Sequence, residues 1–396
     1  MIQVLRGATI HPGDGHPAFV GDVTIAEGCI TDVLEPGAPA PRGAREHEMT
    51  GRHVTPGFID AHAHLGVWPE GFNDESKDLN EMTSPVTPHL NVMDGVWPGD
   101  TAFVKARAAG VTTICILPGS ANVIGGTGIV VKTYGNNVER MAMRSPACLK
   151  VAFGLNVKHS HGVKANRAPL TRMAIAALFR QAFDDAKTYM DKRARDPEIP
   201  RDPGKDILAA AMRREFPVRA HCARSDDILT ALRLAKEYRL DLVLDHGYEA
   251  EYVLEEVHAA GVPVVLGPFF RTCGSSEATN FNFESTRRLD DAGICVAHMS
   301  DHPIVPVEYL TLQAGLCVRA GMSPERALAT ICHNAARILG LDGRIGRLAP
   351  GLDADLVILD GPPLAVETRV LSTWIGGREV HGAGAPIPVP GGAFRA

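Results

Sequence analysis

The sequence predicts a (β/α)8 TIM barrel carrying a small β-sandwich built from both chain ends. Three observations predict it. Short apolar runs alternate with helical patterns from Val54 onward, those runs number eight, and both ends read as short strands broken by turn residues. In chain order, residues 1–53 hold IQVLRGATI, the turn segment PGDGHP, and AFVGDVTIAEGCITDVLE, a small β unit. Barrel strands are then expected near 54–60 (VTPGFID), 111–117 (VTTICIL), 128–134 (GIVVKTY), 149–155 (LKVAFGL), 217–222 (PVRAHC), 241–246 (DLVLDH), 262–267 (VPVVLG) and 294–300 (ICVAHMS). Amphipathic stretches such as DDILTALRLAKEY and EYVLEEVHAA fall between most of them, the rhythm of parallel βαβ units. Gly125-Gly126-Thr127-Gly128 reads as a tight turn before the third strand, because it lacks the GxxxxGK spacing of a phosphate loop. GLDADLVILD and VLSTWIGGREV close the chain and resemble its start. Residues 1–53 and 344–396 are therefore expected to share the sandwich, with the barrel over 54–343.

Composition narrows the functional classes. The net charge is -6 with both signs interspersed, and no basic block marks a nucleic-acid surface. The longest apolar runs have strand length and cannot span a bilayer. The first residues show no charged segment leading into an apolar export core. The eight cysteines are widely spaced without a CxxC pair, and they read as reduced thiols of a cytoplasmic protein. Sixteen histidines is the unusual count, and imidazole is the commonest protein metal ligand.

The densest chemistry lies in Pro56-Gly57-Phe58-Ile59-Asp60-Ala61-His62-Ala63-His64. Residues two apart on a strand point the same way, roughly 6.5–7 Å apart. Two imidazoles at that spacing can reach one ion at about 2.0–2.1 Å. A bare HxH is common and equally describes two hydrogen-bonded strand-end histidines. Its position at the end of the first barrel strand, on the face where barrel active sites lie, is what points to ligation. His221, His246 and Asp301 end the fifth, sixth and eighth runs. A lone strand-end histidine is more often structural, and Asp301, before His302-Pro303, also suits a cap or turn. Four strands delivering ligand-type residues to one face is the stronger pattern.

VTPGFIDAHAH, the strand-end His221 and His246, SDHP after the eighth strand, and GLDADLVILD resemble the amidohydrolase superfamily, and within it the branch of imidazolonepropionase and prolidase-like dipeptidases. The segments NEMTSPVTPHLNVMDG, GVTTICILPGSANVIGGTGIVVKTYG and AHCARSDDILTALRLAKEY extend the likeness over nearly the whole chain. The resemblance implies a divalent metal on His62 and His64, with His221 a further ligand. His246 becomes a ligand or a partner of the attacking water, and Asp301 a ligand that also shuttles protons. Asp353 and Asp355 become structural residues of the return to the sandwich. Such a metal acidifies its water and polarises the scissile carbonyl. Histidine-rich ligation suits zinc, with iron or manganese compatible.

The chain departs from the family at one point. Two-metal members carry a bridging carboxylate near the end of strand four, from a glutamate or a carboxylated lysine. Here the segment reads Gly154-Leu155-Asn156, and leucine cannot bridge two cations. Without an anion between them two dications repel strongly, which favours one metal; Lys158, slightly beyond the expected position, reads as a surface lysine more readily than as a carboxylated bridge. His159 and His161 share that loop as solvated or site-facing residues.

After His221, Arg224 stands where the family's deaminases and imidazolonepropionase place a proton-shuttling glutamate. A guanidinium stays protonated, so aromatic-base deamination is disfavoured. Arg224 is expected either to anchor a substrate carboxylate or to pair with Asp226 or Asp227. Arg271 is a second anchor candidate, and Tyr248 either donates to a substrate oxygen or packs. The long segment from Trp68 to Asp100 reads as a cover over the site or as a surface excursion at an oligomer contact. The expected function is hydrolysis of a non-peptide C–N bond in a small-molecule amide or cyclic amide by a homo-oligomer. An Xaa-Pro-type dipeptidase or N-acyl-amino-acid hydrolase, and a non-catalytic scaffold, are the alternatives.

Overall fold

The computed structural model describes residues 1–71, 73–270, 277 and 280–385. Eight strands form the barrel sheet in sequential order: Phe58–Ala63, Val111–Ile116, Ile124–Lys132, Ala142–Ala152, Val218–Cys222, Leu242–His246, Val264–Leu266 and Val296–His298. The first and last strands meet through backbone bonds from Asp301 N–H to the His62 carbonyl (3.1 Å) and from His64 N–H to the His302 carbonyl (2.9 Å). Apolar side chains such as Ile59, Ala61, Val130, Val243, Val265, Ala297 and Met299 form one buried cluster, and strand residues pack against the surrounding helices in another. Among those helices are Arg172–Arg195, Pro203–Met212 and Ser225–Tyr238.

The third strand corrects the expectation of eight parallel strands. Ile124–Lys132 runs antiparallel to both neighbours. A parallel return needs a crossover of about a dozen residues or more. The links on either side of this strand, 117–123 and 133–141, are too short for one. The strand also begins earlier than expected, so the Gly125–Gly128 segment lies inside it and is not a turn before it. Gly126 adopts φ 108°, and a Cβ there would sit 2.5 Å from the Leu90 carbonyl. Glycine is required where the segment ahead of it lays its backbone on this strand, with Thr127 N–H donating to Leu90 (2.8 Å).

The expected first strand also divides. His53–Pro56 joins the terminal sheet, pairing antiparallel with Leu356–Leu359 and parallel with the end of Gln3–Ile10, whereas Phe58–Ala63 enters the barrel. Between them, Gly57 packs so closely on Thr112 that a Cβ would overlap that side chain. Five N-terminal and three C-terminal strands make up the terminal sheet, around Leu5, Ile10, Val23, Ile25, Val54, Leu356 and Trp374. Asp353 and Asp355 both receive Lys132 from the third barrel strand, bracing the two sheets against each other. Among the described residues no helix is long and apolar enough to cross a membrane.

Candidate metal centre

The ends of strands one, five, six and eight converge at one barrel mouth. Strand one is held to strand eight by buried Asp60, which accepts the N–H of His62 (3.2 Å) and of Ser300 (3.1 Å) and the Ser300 hydroxyl. Burial pushes the Asp60 carboxyl up to about 7, against those hydrogen bonds. This tie places Asp301 against the histidine pair: its Oδ1 lies 3.2 Å from His64 Nε2 and 3.5 Å from His62 Nε2. Ligand atoms of His62, His246 and Asp301 all fall within 4.8 Å of one another. The His221 ring packs against that of His246, tilted by 60° with ring centroids 4.1 Å apart. His246 (φ 73°) and Asp301 (φ 53°) both occupy the left-handed backbone region, a strain that side chains other than glycine rarely adopt.

The outer ring nitrogens decide what the inner ones can do. His64 Nδ1 lies 2.8 Å from the Leu117 carbonyl, and His246 Nδ1 lies 3.0 Å from the Gly267 carbonyl. A carbonyl only accepts, so both Nδ1 atoms carry the proton and both Nε2 atoms present a lone pair. His62 Nδ1 faces Asp245 Oδ2 at 3.3 Å, which favours the same tautomer. The Nε2 atoms of His221 and His246 are buried without a hydrogen-bond partner. Unpartnered buried acceptors are costly, and a cation satisfies several at once. Burial, with Lys150 adding to it, pushes His62 down to about 3, and burial lowers His246 as well. Burial raises Asp301, but in the metal-free site a protonated His64 Nε2 would donate to it, and that contact with the His62 and His64 charges holds it down to about 2; a bound cation would take that proton's place. Neutral imidazoles and an ionised carboxylate are the protonation states a divalent metal requires.

A second group, Glu70, His302 and Glu308, also gathers ligand-type atoms. Its chemistry differs. His302 Nδ1 accepts the Val307 N–H (3.2 Å), so its Nε2 carries the proton and faces Glu70 as a donor. Lys105 already sits between Glu70 and Glu308. This group is a salt-bridge cluster.

Several buried residues at the centre were missed in the sequence. Lys150, on strand four, is fully buried, with Nζ 3.5 Å from His62 Nε2 and 3.8 Å from Asp245 Oδ2. Arg219 donates to Asp245 Oδ1 (Nε, 3.0 Å) and to the Ala61 carbonyl (3.0 Å) inside the barrel. Burial opposes ionisation of Asp245, yet Arg219 and His62 hold its carboxyl far below the usual range. Ser120 Oγ lies 2.9 Å from His221 Nδ1, and Glu277 Oε2 lies 3.9 Å from His221 Nε2. The available signal was a charge interrupting an apolar strand: the lysine of CLKVAF, the arginine of VRAH, the aspartate of LVLDH.

Other expected site residues lie apart from the ligands. Arg224 is half-exposed, pairs with Asp226 (3.0 Å), and does not line the cavity over the histidines. Tyr248 is buried and donates to the Pro268 carbonyl (2.9 Å), with its ring 6.1 Å from His246. Arg271 lies outside the described residues. Lys158 begins a short π-helical turn, Lys158–Lys164. His159 lines the cavity, whereas His161 is buried and bonded to Asn122 (2.8 Å) and Arg167 (3.2 Å).

The cavity holds ≈ 180 Å³, with His64, His221, His246 and Asp301 on its wall and Trp68, Leu79, Asn80, Ser120, Asn156 and Ile304 around it. Trp68, Leu79 and Asn80 come from the long segment after strand one, which therefore does cover the site. It is tethered, not loose: Gly119 N–H donates to the Leu79 carbonyl (2.7 Å), Ala121 N–H to Asn80 (3.0 Å), and Asn122 to the Glu81 carbonyl (2.7 Å).

The amidohydrolase family model matches residues 53–380. The amidohydrolase tasK of Hapsidospora irregularis is 30% identical over 395 residues, covering 92% of this chain, which spans 40% of that longer protein. The imidazolonepropionase of Maricaulis maris is 27% identical over 399 residues, covering 96% of this chain and 92% of its own. A crystal structure of an amidohydrolase from Thermotoga maritima MSB8 superposes with a TM-score of 0.93 at 37% identity, over 96% of this chain and all (100%) of that one. A match running from the last N-terminal strand of the terminal sheet to its last C-terminal strand, across this barrel and its histidines, makes the chain a member of the amidohydrolase family.

Proposed function

We propose that this protein is a metal-dependent amidohydrolase that cleaves a non-peptide C–N bond in a small neutral amide or cyclic amide. The observation that carries the reading is the convergence of His62, His246 and Asp301, with His64 beside them, in lone-pair-bearing and ionised states. A divalent ion held there would supply an acidified water and polarise the substrate carbonyl. Asp301, at the cavity wall, is placed to accept a proton and pass it to the leaving nitrogen. Trp68 and Leu79 exclude bulk water from the reacting atoms. Among the described residues no lysine or arginine lines the cavity, which favours an uncharged substrate over one read through a carboxylate.

The expectation of a single ion rested on Leu155 and Lys158. Lys150 removes that premise. It is the lysine of strand four that faces the histidines, and its buried position beside His62 suits an anion better than an ammonium once a cation is bound. We assign Lys150, in place of Lys158, as the residue whose amine would add carbon dioxide, releasing a proton, to supply an anionic oxygen ligand beside His62.

Metal analysis with turnover tests the reading. Asp301→Asn is expected to stay folded and to lose at least about 100-fold in kcat/KM on whichever cyclic amide, N-acyl amino acid or dipeptide proves to be a substrate. Activity that survives complete removal of metal, or an Asp301→Asn variant as fast as the parent, rejects it. Lys150→Met is expected to bind fewer equivalents of zinc than the parent. An unchanged zinc stoichiometry would remove Lys150 from the centre.

A further inference from the structure

The seventh-strand loop delivers a carboxylate that the mechanism above does not use. Glu277 is buried, and its two oxygens are divided. Oε1 accepts the N–H of Leu155 (2.5 Å), at the position where the family resemblance leads one to expect a strand-four glutamate. Oε2 points toward His221 Nε2 at 3.9 Å, and that nitrogen is itself buried without a hydrogen-bond partner. The separation is too long for a hydrogen bond. It lies between the roughly 3.4 Å expected for two tetrahedral ligands of one ion and the roughly 4.2 Å for two ligands on opposite sides, given metal–ligand bonds near 2.1 Å. Nearby, Arg172 is engaged with Asp227 at 2.8 and 2.9 Å and lies 3.9 Å from Glu277 Oε1, and among the described residues no lysine or arginine pairs with Oε2. Gly154 accommodates this approach: its φ is 100°, and a Cβ would overlap Glu277 Oε1.

We propose that Glu277 is a ligand of the second divalent ion, sharing that ion with His221. The chain then recovers, from the loop after strand seven, a carboxylate that Leu155 cannot provide. The proposal rests on the metal-dependent reading above, and its test is built to separate the two.

The experiment titrates metal-free parent, Glu277→Gln and His221→Ala proteins with Co²⁺ and with Zn²⁺, following the visible cobalt bands and competing against a chelator of known affinity. Glutamine keeps an oxygen for the Leu155 N–H and removes the charge. The parent is expected to bind two equivalents. Glu277→Gln is expected to retain the first and weaken the second by at least about tenfold, with altered cobalt bands for that equivalent. In a variant combining Glu277→Gln with His221→Ala, titrated alongside, the loss should be less than the product of the single losses, because both residues hold one ion. A second equivalent in Glu277→Gln with parental affinity and bands overturns the proposal. So does weakened affinity with unchanged bands, which marks a residue that only orients His221. A parent binding one equivalent overturns it while leaving the hydrolase reading intact. A parent binding none overturns both.

Discussion

Asp245 and Arg219 show how single residues can govern this site without touching substrate. Both are fully buried, and Asp245 bridges Arg219 on one oxygen and His62 on the other. The pair orients His62 so that Nε2 faces Asp301, and it offsets a guanidinium sealed inside the barrel. Removing one partner of a buried pair costs about 3–5 kcal/mol, because the other charge is left uncompensated. Asp245→Asn is therefore expected to lower the urea midpoint sharply. In the fraction that remains folded, zinc affinity should fall about 10- to 100-fold, as when the residue orienting a ligating histidine is lost. A variant with parental stability and affinity would show that Asp245 is dispensable. Lys150 belongs to the same interior layer, 3.8 Å from Asp245, so strand four couples the charge pair to the metal ligands.

At the scale of elements, the reversed third strand shapes the mouth. A helix between strands two and three would occupy the side from which the cover reaches the cavity. The short links leave that side open, and the segment carrying Val86, Leu90 and Asn91 pairs directly with Ile124 and Thr127. Gly126 is the contact that permits it. Gly126→Ala places a Cβ 2.5 Å from the Leu90 carbonyl at φ 108°, so it is expected to destabilise by about 1–3 kcal/mol. The cover should separate before the barrel does. Limited proteolysis should then cut within residues 65–100 earlier than in the parent, with KM raised more than kcat is lowered. Cleavage elsewhere first, with the cover still protected, would locate the strain in the barrel.

The two sheets are braced at their junction, where Lys132 meets Asp353 and Asp355, and within the terminal sheet His11 stacks on His53. Burial, and then the neighbouring His53, pushes His11 down to about 4. A histidine whose folded pKa is depressed is neutral in the native state, so the unfolded chain binds more protons between about 4 and the ordinary value of 6.5. Its contribution is fully present above pH 6.5 and is lost as pH falls through about 4. The melting temperature of metal-free protein should therefore drop across that window, and less steeply in His11→Gln. Equal slopes in the two proteins would show that His11 does not titrate with unfolding. Measuring the metal-free form keeps proton competition at the ligands out of the comparison.

The barrel and its candidate ligands were legible because they are local properties of the chain. A strand ends where its apolar run ends, and barrel chemistry gathers at those ends, so His62, His64, His221, His246 and Asp301 could be named in advance. For Arg224 the chain left the pairing with Asp226 open beside a substrate role, but the direction of the third strand, the burial of Lys150 and Asp245 and the approach of Glu277 to His221 could not be named. Each depends on which distant residue arrives opposite, and register shifts in strand pairing alter which face a residue presents. Ligand type is written along the chain. The charge that stands beside each candidate ligand is set only when segments far apart in the chain close on one another, because electrostatic energy depends on distance in space and on burial.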